Sequence, residues 1–113
     1  MVLAKPKRAA CLHRWARSSD RWHRRAAAVG FVRGARQRMF FDHITRVSKQ
    51  LLADQDDMVQ KGLGWLLRET AKADPRRTVP LLMRIRDRAP RQVLRTACEK
   101  LPASSRELVL SHS

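Results

Sequence analysis

The chain has 113 residues, and its 25 Lys and Arg against 10 Asp and Glu give a formal charge of +15. This length allows one small domain with one core, and the charge predicts a polyanionic partner, nucleic acid ahead of anionic lipid or an acidic protein. A hydrophobic content of 43% argues against wholesale disorder. The scarcity of Gly and Pro argues against an all-β domain, and no segment approaches the ~18 apolar residues of a membrane span.

The first third of the chain carries most of the charge. Residues 1–38 hold eleven Lys and Arg and a single acid, Asp20, whereas residues 39–113 hold fourteen Lys and Arg against nine acids. We expect a basic flexible arm over residues 1–7, a helical repeat domain over residues 8–101 and a C-terminal tail over residues 102–113.

Helical periodicity runs through the predicted domain. A short helix over 8–17 surrounds Leu12 and Trp15, and Asp20 can cap a helix over 20–34 that Gly30 and Gly34 weaken. The next helix covers 38–53, where apolar residues recur at helical spacing.

Acidic caps and prolines mark the later helices. Asp56 can cap a helix over 56–73, and Asp74 followed by Pro75 is typical of a helix start, here over 74–89. Pro80 should kink that helix or delay its start, and Pro90 begins a last helix over 90–101.

The helices predict a repeat. Arg25-Ala26 and Lys61-Gly62 are 36 residues apart, and Asp20 and Asp56 have the same offset. A helical-hairpin period of this length is typical of α-solenoids such as HEAT repeats. We therefore predict an all-α, HEAT-like α-solenoid of antiparallel helix pairs, with about two and a half repeats.

The 56–73 helix has two contrasting faces. Val59, Leu63, Leu66 and Thr70 cluster on one side, and Lys61, Trp65, Arg68 and Lys72 lie opposite. Cations contact phosphates while an indole stacks on a base, so this face predicts nucleic-acid binding. The alternative is that Trp65 packs against a neighbouring helix and the cations only solvate the outside.

A second candidate region surrounds Trp22. This residue extends the apolar stripe of Ala26 and Val29, so we expect it in the core. Arg25, equivalent to Lys61 in the repeat, should lie on the same surface as Lys61, Trp65 and Arg68, and is the better functional candidate.

Cysteine and histidine spacing suggests no metal chemistry. Cys11 and Cys98 lie far apart without a secretory signal, which predicts two reduced thiols, and Cys11, His13, His23 and His43 match no zinc-ligand spacing. We expect no metal, no cofactor, no membrane association and a cytoplasmic location, in the bacterial cytosol or nucleoid.

Several motifs resemble the AlkD-like DNA alkylation repair family. These are Trp15-x6-Trp22-x2-Arg25-Ala-Ala, Val59-Gln-Lys-Gly-Leu-Gly-Trp-Leu-Leu-Arg-Glu69, Lys72-x2-Pro75 and Leu94-Arg-x3-Glu-Lys-Leu101. The resemblance implies HEAT-like repeats, double-stranded and possibly alkylated DNA as partner, and excision of alkylated purines as the family activity. The family's active-site arginine and one tryptophan map onto Arg25 and Trp65.

The resemblance covers about the C-terminal half of a typical member. The family also uses an aspartate and another tryptophan on an earlier helix, and no residue here matches either; Asp20 is out of register. We expect a truncated member with an incomplete active site and no assignable catalytic residue, whose open repeat end is covered by a partner or by a missing N-terminal half. The alternatives are a non-catalytic basic module that binds RNA or DNA, or a protein-interaction scaffold.

Overall fold

The computed structural model describes residues 6–111, with side chains from Arg8 onward. Within this part every regular element is a helix, which confirms the predicted all-α class. The eight helices are α1 (Pro6–Trp15), α2 (Arg21–Val29), α3 (Val32–Arg36), α4 (Phe41–Leu51), α5 (Asp57–Ala73), α6 (Pro75–Ile85), α7 (Arg91–Ala97) and α8 (Ala103–Leu110).

The longest helix, α5, lies at the centre. It packs against α2 and α3, against α7, and against α4 and α6. A β-carbon at Gly62 would lie 3.0 Å from Cγ of Arg25 in α2, and one at Gly64 would lie 3.0 Å from Cβ of Thr96 in α7. Because residues two apart point about 160° away from each other, α2 and α7 lie on opposite flanks of α5. This arrangement is compatible with an α-solenoid.

Side-chain caps begin three of the helices, as predicted. Asp20 accepts a hydrogen bond from the Trp22 amide at 2.8 Å at the start of α2. Asp56 accepts from the Met58 amide at 2.9 Å and the Val59 amide at 3.1 Å at the start of α5. Asp74 caps α6. The bounds of α5 therefore agree with the predicted 56–73 helix within one residue.

The predicted 20–34 helix is interrupted, and this prediction is wrong in its second half. A β-carbon at Gly30 would lie 2.7 Å from a Leu12 methyl group, so α1 packs directly on the backbone where α2 ends. The fully buried Phe31 then precedes the short helix α3 as its N-cap residue.

The predicted 38–53 helix begins late. Arg38 and Phe40 have φ values of 61° and 63°, in the left-handed region that non-glycine residues rarely occupy. This turn separates α3 from α4, which starts at Phe41.

The C-terminal helices are shorter than predicted. Helix α6 starts directly at Pro75 and includes Pro80, so Pro80 does not delay its start, and it ends at Ile85. Helix α7 ends at Ala97.

The two predicted ends of the domain contain helical structure. The segment expected as a tail contains α8, whose Val109 is fully buried. At the other end α1 already begins at Pro6, and residues 1–5 of the predicted arm lie outside the described residues. No helix in the described part is long and apolar enough to cross a membrane, and Cys11 and Cys98 are both free thiols.

Candidate nucleic-acid interface

The outer side of α5 carries four of the predicted site residues. Lys61 and Lys72 are exposed, and Trp65 and Arg68 are half-buried. The opposite side is buried in the core through Val59, Leu63, Leu66 and Thr70. Trp65 touches the edge of that core, so its indole is fixed by packing while part of it stays accessible. We call Lys61, Trp65, Arg68 and Lys72, together with Arg25, the α5 face.

Arg25 reaches this face from α2. Its Nη1 donates a hydrogen bond to the Met58 carbonyl at 2.8 Å, and its aliphatic stem lies beside Gly62. A side chain at position 62 would displace this stem, so the glycine permits the approach of Arg25. A neutral carbonyl does not cancel the guanidinium charge, and Arg25 therefore adds a cation to the flank of α5.

Lys61 forms a solvent-exposed ion pair with Asp57. Its Nζ lies 3.0 Å from Oδ2 of Asp57, and both side chains are mostly exposed. Hydrogen bonds from Lys61 and then Gln92 lower the pKa of Asp57, which stays ionised at neutral pH. Exposed pairs of this kind exchange readily with other ions, so a phosphate can replace the Asp57 carboxylate.

Arg68 is more strongly engaged than the sequence suggests. Its Nη1 donates to Glu99 at 2.9 Å and its Nε to Glu69 at 3.3 Å. The hydrogen bond to Glu99, opposed by desolvation, raises the pKa of Arg68. Arg68 thus joins α5 to the turn after α7, and we expect it to contribute least to ligand binding.

Glu69 is buried between two arginines. It also accepts a hydrogen bond from Nε of Arg36 at 3.0 Å. Desolvation opposes ionisation of Glu69, but the Arg36 and Arg68 hydrogen bonds outweigh it and lower the pKa of the carboxyl. This carboxylate links α3 to α5 and is a structural charge.

Trp22 was predicted in the core, and that prediction is wrong. Its relative exposure is 51%, and the guanidinium of Arg21 lies 4.9 Å from its ring centroid. The buried stripe of α2 consists of Ala27 and Ala28 instead. Trp22 and Arg25 are three residues apart and therefore neighbours on the surface of α2, and this spacing could have identified Trp22 from the sequence as a candidate site residue.

Two of the four histidines, His13 and His43, form a structural pair. His13 Nε2 lies 2.9 Å from His43 Nδ1, and His13 Nδ1 lies 3.3 Å from the Gln50 amide oxygen. Burial lowers the pKa of His13. Among the described residues no group of three or more His, Cys, Asp or Glu is placed to hold a metal ion.

Residues 1–101 match a family model described as DNA alkylation repair enzyme. The chain belongs to this family. The match includes α2 and α5, and therefore every residue of the α5 face. No curated protein and no solved structure matches the chain. Membership in the DNA alkylation repair family suggests DNA as the substrate.

Proposed function

We propose that the chain binds double-stranded DNA, including alkylated DNA, through the α5 face. The observation that supports this is the half-buried indole of Trp65 between the exposed Lys61 and Lys72, on the side of α5 away from the core. Lysine and arginine side chains fix a duplex through its phosphates, while an aromatic plane contacts sugar or base. The exposed Trp22 adds a second indole beside Arg25.

The length of the face suits several phosphates. Lys61 and Lys72 are separated by 11 residues, or ~16 Å along the helix, which corresponds to about five base-pair steps. If the face and its flanks neutralise about five phosphates, log K should fall with log salt at a slope of roughly −4 to −5.

We further propose that the chain alone does not excise the damaged base. An alkylated purine already carries positive charge, so bond cleavage mainly requires a carboxylate that stabilises the developing oxocarbenium ion. The carboxylates that pair with residues of the α5 face are Asp57, Glu69 and Glu99. Each is already engaged by a cation, and no residue of the sequence matches the family's active-site aspartate.

The binding proposal is tested by fluorescence anisotropy on a short duplex across a salt series. Lys61→Ala and Lys72→Ala should each reduce the slope by about one unit, because each removes one phosphate contact. The matched control is Lys49→Ala, an exposed lysine on α4, and it should leave the slope unchanged. A slope near zero for the unmodified chain would refute the proposal, and a preference for single-stranded RNA would favour the RNA-binding alternative.

The catalytic proposal is tested by single-turnover release of N7-methylguanine from a defined duplex. We expect release at the rate of a no-protein control. Release well above that control would show that a carboxylate of this chain acts on the sugar, and Asp20→Asn would show whether it is Asp20.

A further inference from the structure

A second group of cations lies where the turn after α3 meets the start of α6. Arg38, Asp74, Arg76 and Arg77 line a depression of about 670 Å³. A neighbouring depression of about 330 Å³ is lined by Arg36, Glu69, Lys72 and Ala73. The two depressions are linked along the chain: Arg36 lies two residues before Arg38, and Lys72 lies two residues before Asp74. We call Arg38, Lys72 and Arg76 the junction cations.

The two acids at this junction are already neutralised. Asp74 is buried and pairs with Arg77, whose Nε lies 2.5 Å from Oδ2 of the carboxylate. The buried Glu69 pairs with Arg36 at 3.0 Å and with Arg68. The three junction cations are exposed and form no ion pair within the described part of the chain. The field of Arg38 also lowers the pKa of Asp74, after the Arg77 hydrogen bond, but Arg77 already forms the ion pair with that carboxylate, so the three junction cations remain available to an anion.

The turn that carries Arg38 is held in one conformation. Arg38 and Phe40 both have positive φ, and amide hydrogen bonds from Arg38 to Ala35 and from Met39 to Gly34 close the turn. The Phe40 ring packs so closely on Gly34 that a β-carbon there would lie 2.5 Å from it. Unfavourable backbone conformations of this kind persist where surrounding packing enforces them, and they are common at binding sites.

Helix α6 braces the same turn from the other side. The Arg77 guanidinium lies 4.5 Å from the Phe41 ring centroid, and its Nη2 donates to the Arg38 carbonyl at 3.4 Å. Arg77 is thus used for positioning, because Asp74 already balances its charge. The backbone of Arg38 is fixed relative to α6, which carries Arg76.

We propose that Arg38, Lys72 and Arg76 bind adjacent phosphodiester groups of the DNA backbone. The inference rests on the proposed function, because Lys72 belongs both to the α5 face and to the junction cations. A guanidinium presents paired donors that match phosphate oxygens, and a lysine adds a point charge. The site therefore extends the backbone contact beyond the end of α5 and reads no base sequence.

The test compares Arg38→Ala/Arg76→Ala with the control Arg84→Ala/Arg88→Ala, which removes two exposed arginines from the far end of α6 and the turn after it. The junction variant should reduce the slope of log K against log salt by about two units. The ratio of the DNA affinity of the unmodified chain to that of this variant should then fall about tenfold as the salt concentration rises from 50 to 200 mM. The control should lose clearly less, and thermal melts should show that both variants are folded.

The outcomes separate this inference from the proposed function. If Lys61→Ala reduces the slope but the junction variant behaves like its control, the junction inference is wrong and the proposed function stands. If the unmodified chain shows no salt-dependent DNA binding, the proposed function fails. Unchanged DNA binding with lost binding to vesicles containing anionic lipid would assign the junction to a membrane surface and overturn the inference.

Discussion

Gly64→Ala should destabilise the protein, whereas Gly62→Ala should be close to neutral, although both add one methyl group to α5. A β-carbon at Gly64 would lie 3.0 Å from Cβ and 3.2 Å from Cγ2 of Thr96. Cβ is attached directly to the backbone of α7, so relief requires the two helices to move apart. At Gly62 the nearest atom is Cγ of Arg25, also at 3.0 Å, which belongs to a long side chain that can rotate away.

The magnitudes follow from two opposing effects. Replacing glycine by alanine inside a helix stabilises it by about 1 kcal/mol. Overpacking between elements that cannot yield costs typically 1–3 kcal/mol. We expect Gly64→Ala to lower the free energy of unfolding by about 1 kcal/mol, equivalent to roughly 4 °C in a domain of this size. Gly62→Ala gains the same helix propensity but loses the Arg25 hydrogen bond of about 1 kcal/mol, so the two effects nearly cancel.

Urea unfolding followed by far-UV circular dichroism measures both variants. The double variant Gly64→Ala/Thr96→Gly removes the obstructing atoms, and its coupling energy should offset most of the Gly64→Ala loss. If Gly64→Ala instead stabilises the protein by the full helix-propensity gain, α7 does not contact α5 at this point and the central position of α5 is incorrect.

Three further predictions concern charge. Burial lowers the pKa of His13 from its ordinary value of 6.5, so the imidazole binds a proton more readily in the unfolded chain. The stability that depends on neutral His13 is therefore present above pH 6.5 and is lost as the pH falls through the folded-state pKa. Thermal melts between about pH 7.5 and 5 should show a melting temperature that depends less on pH for His13→Asn than for the unmodified chain. Glu69→Gln should cost about 1–2 kcal/mol at pH 7 by urea unfolding, because two charge-assisted hydrogen bonds weaken. Because the pKa of Glu69 is lowered from its ordinary value of 4.5, this difference should be fully present above that value and disappear as the pH falls through the folded-state pKa, and its persistence in acid after the carboxyl is protonated would contradict an ionic role. Asp57→Asn should strengthen DNA binding with little change in the salt slope, because Lys61 no longer has to leave a carboxylate to contact its phosphate, and an unchanged or weaker affinity would show that Lys61 does not reach a phosphate.

Sequence-local features of this protein could be predicted because their causes lie within a few residues. The Asp56 and Asp74 caps, and with them the bounds of α5, depend on side chains that bind amides two or three positions away. The buried and outer sides of α5 follow from helical spacing alone. The family motifs around Arg25 and Trp65 likewise led to the assignment that the family match confirms.

Only the tertiary structure decided which neighbours these faces meet. Periodicity placed Arg68 beside Trp65, but its carboxylate partner Glu99 is 31 residues away. The break after α2 depends on Leu12 packing against Gly30, and Trp22 remains exposed because alanines fill the core beneath α2. Interactions between distant segments depend on how whole helices pack, and helical spacing within one segment carries no information about that packing.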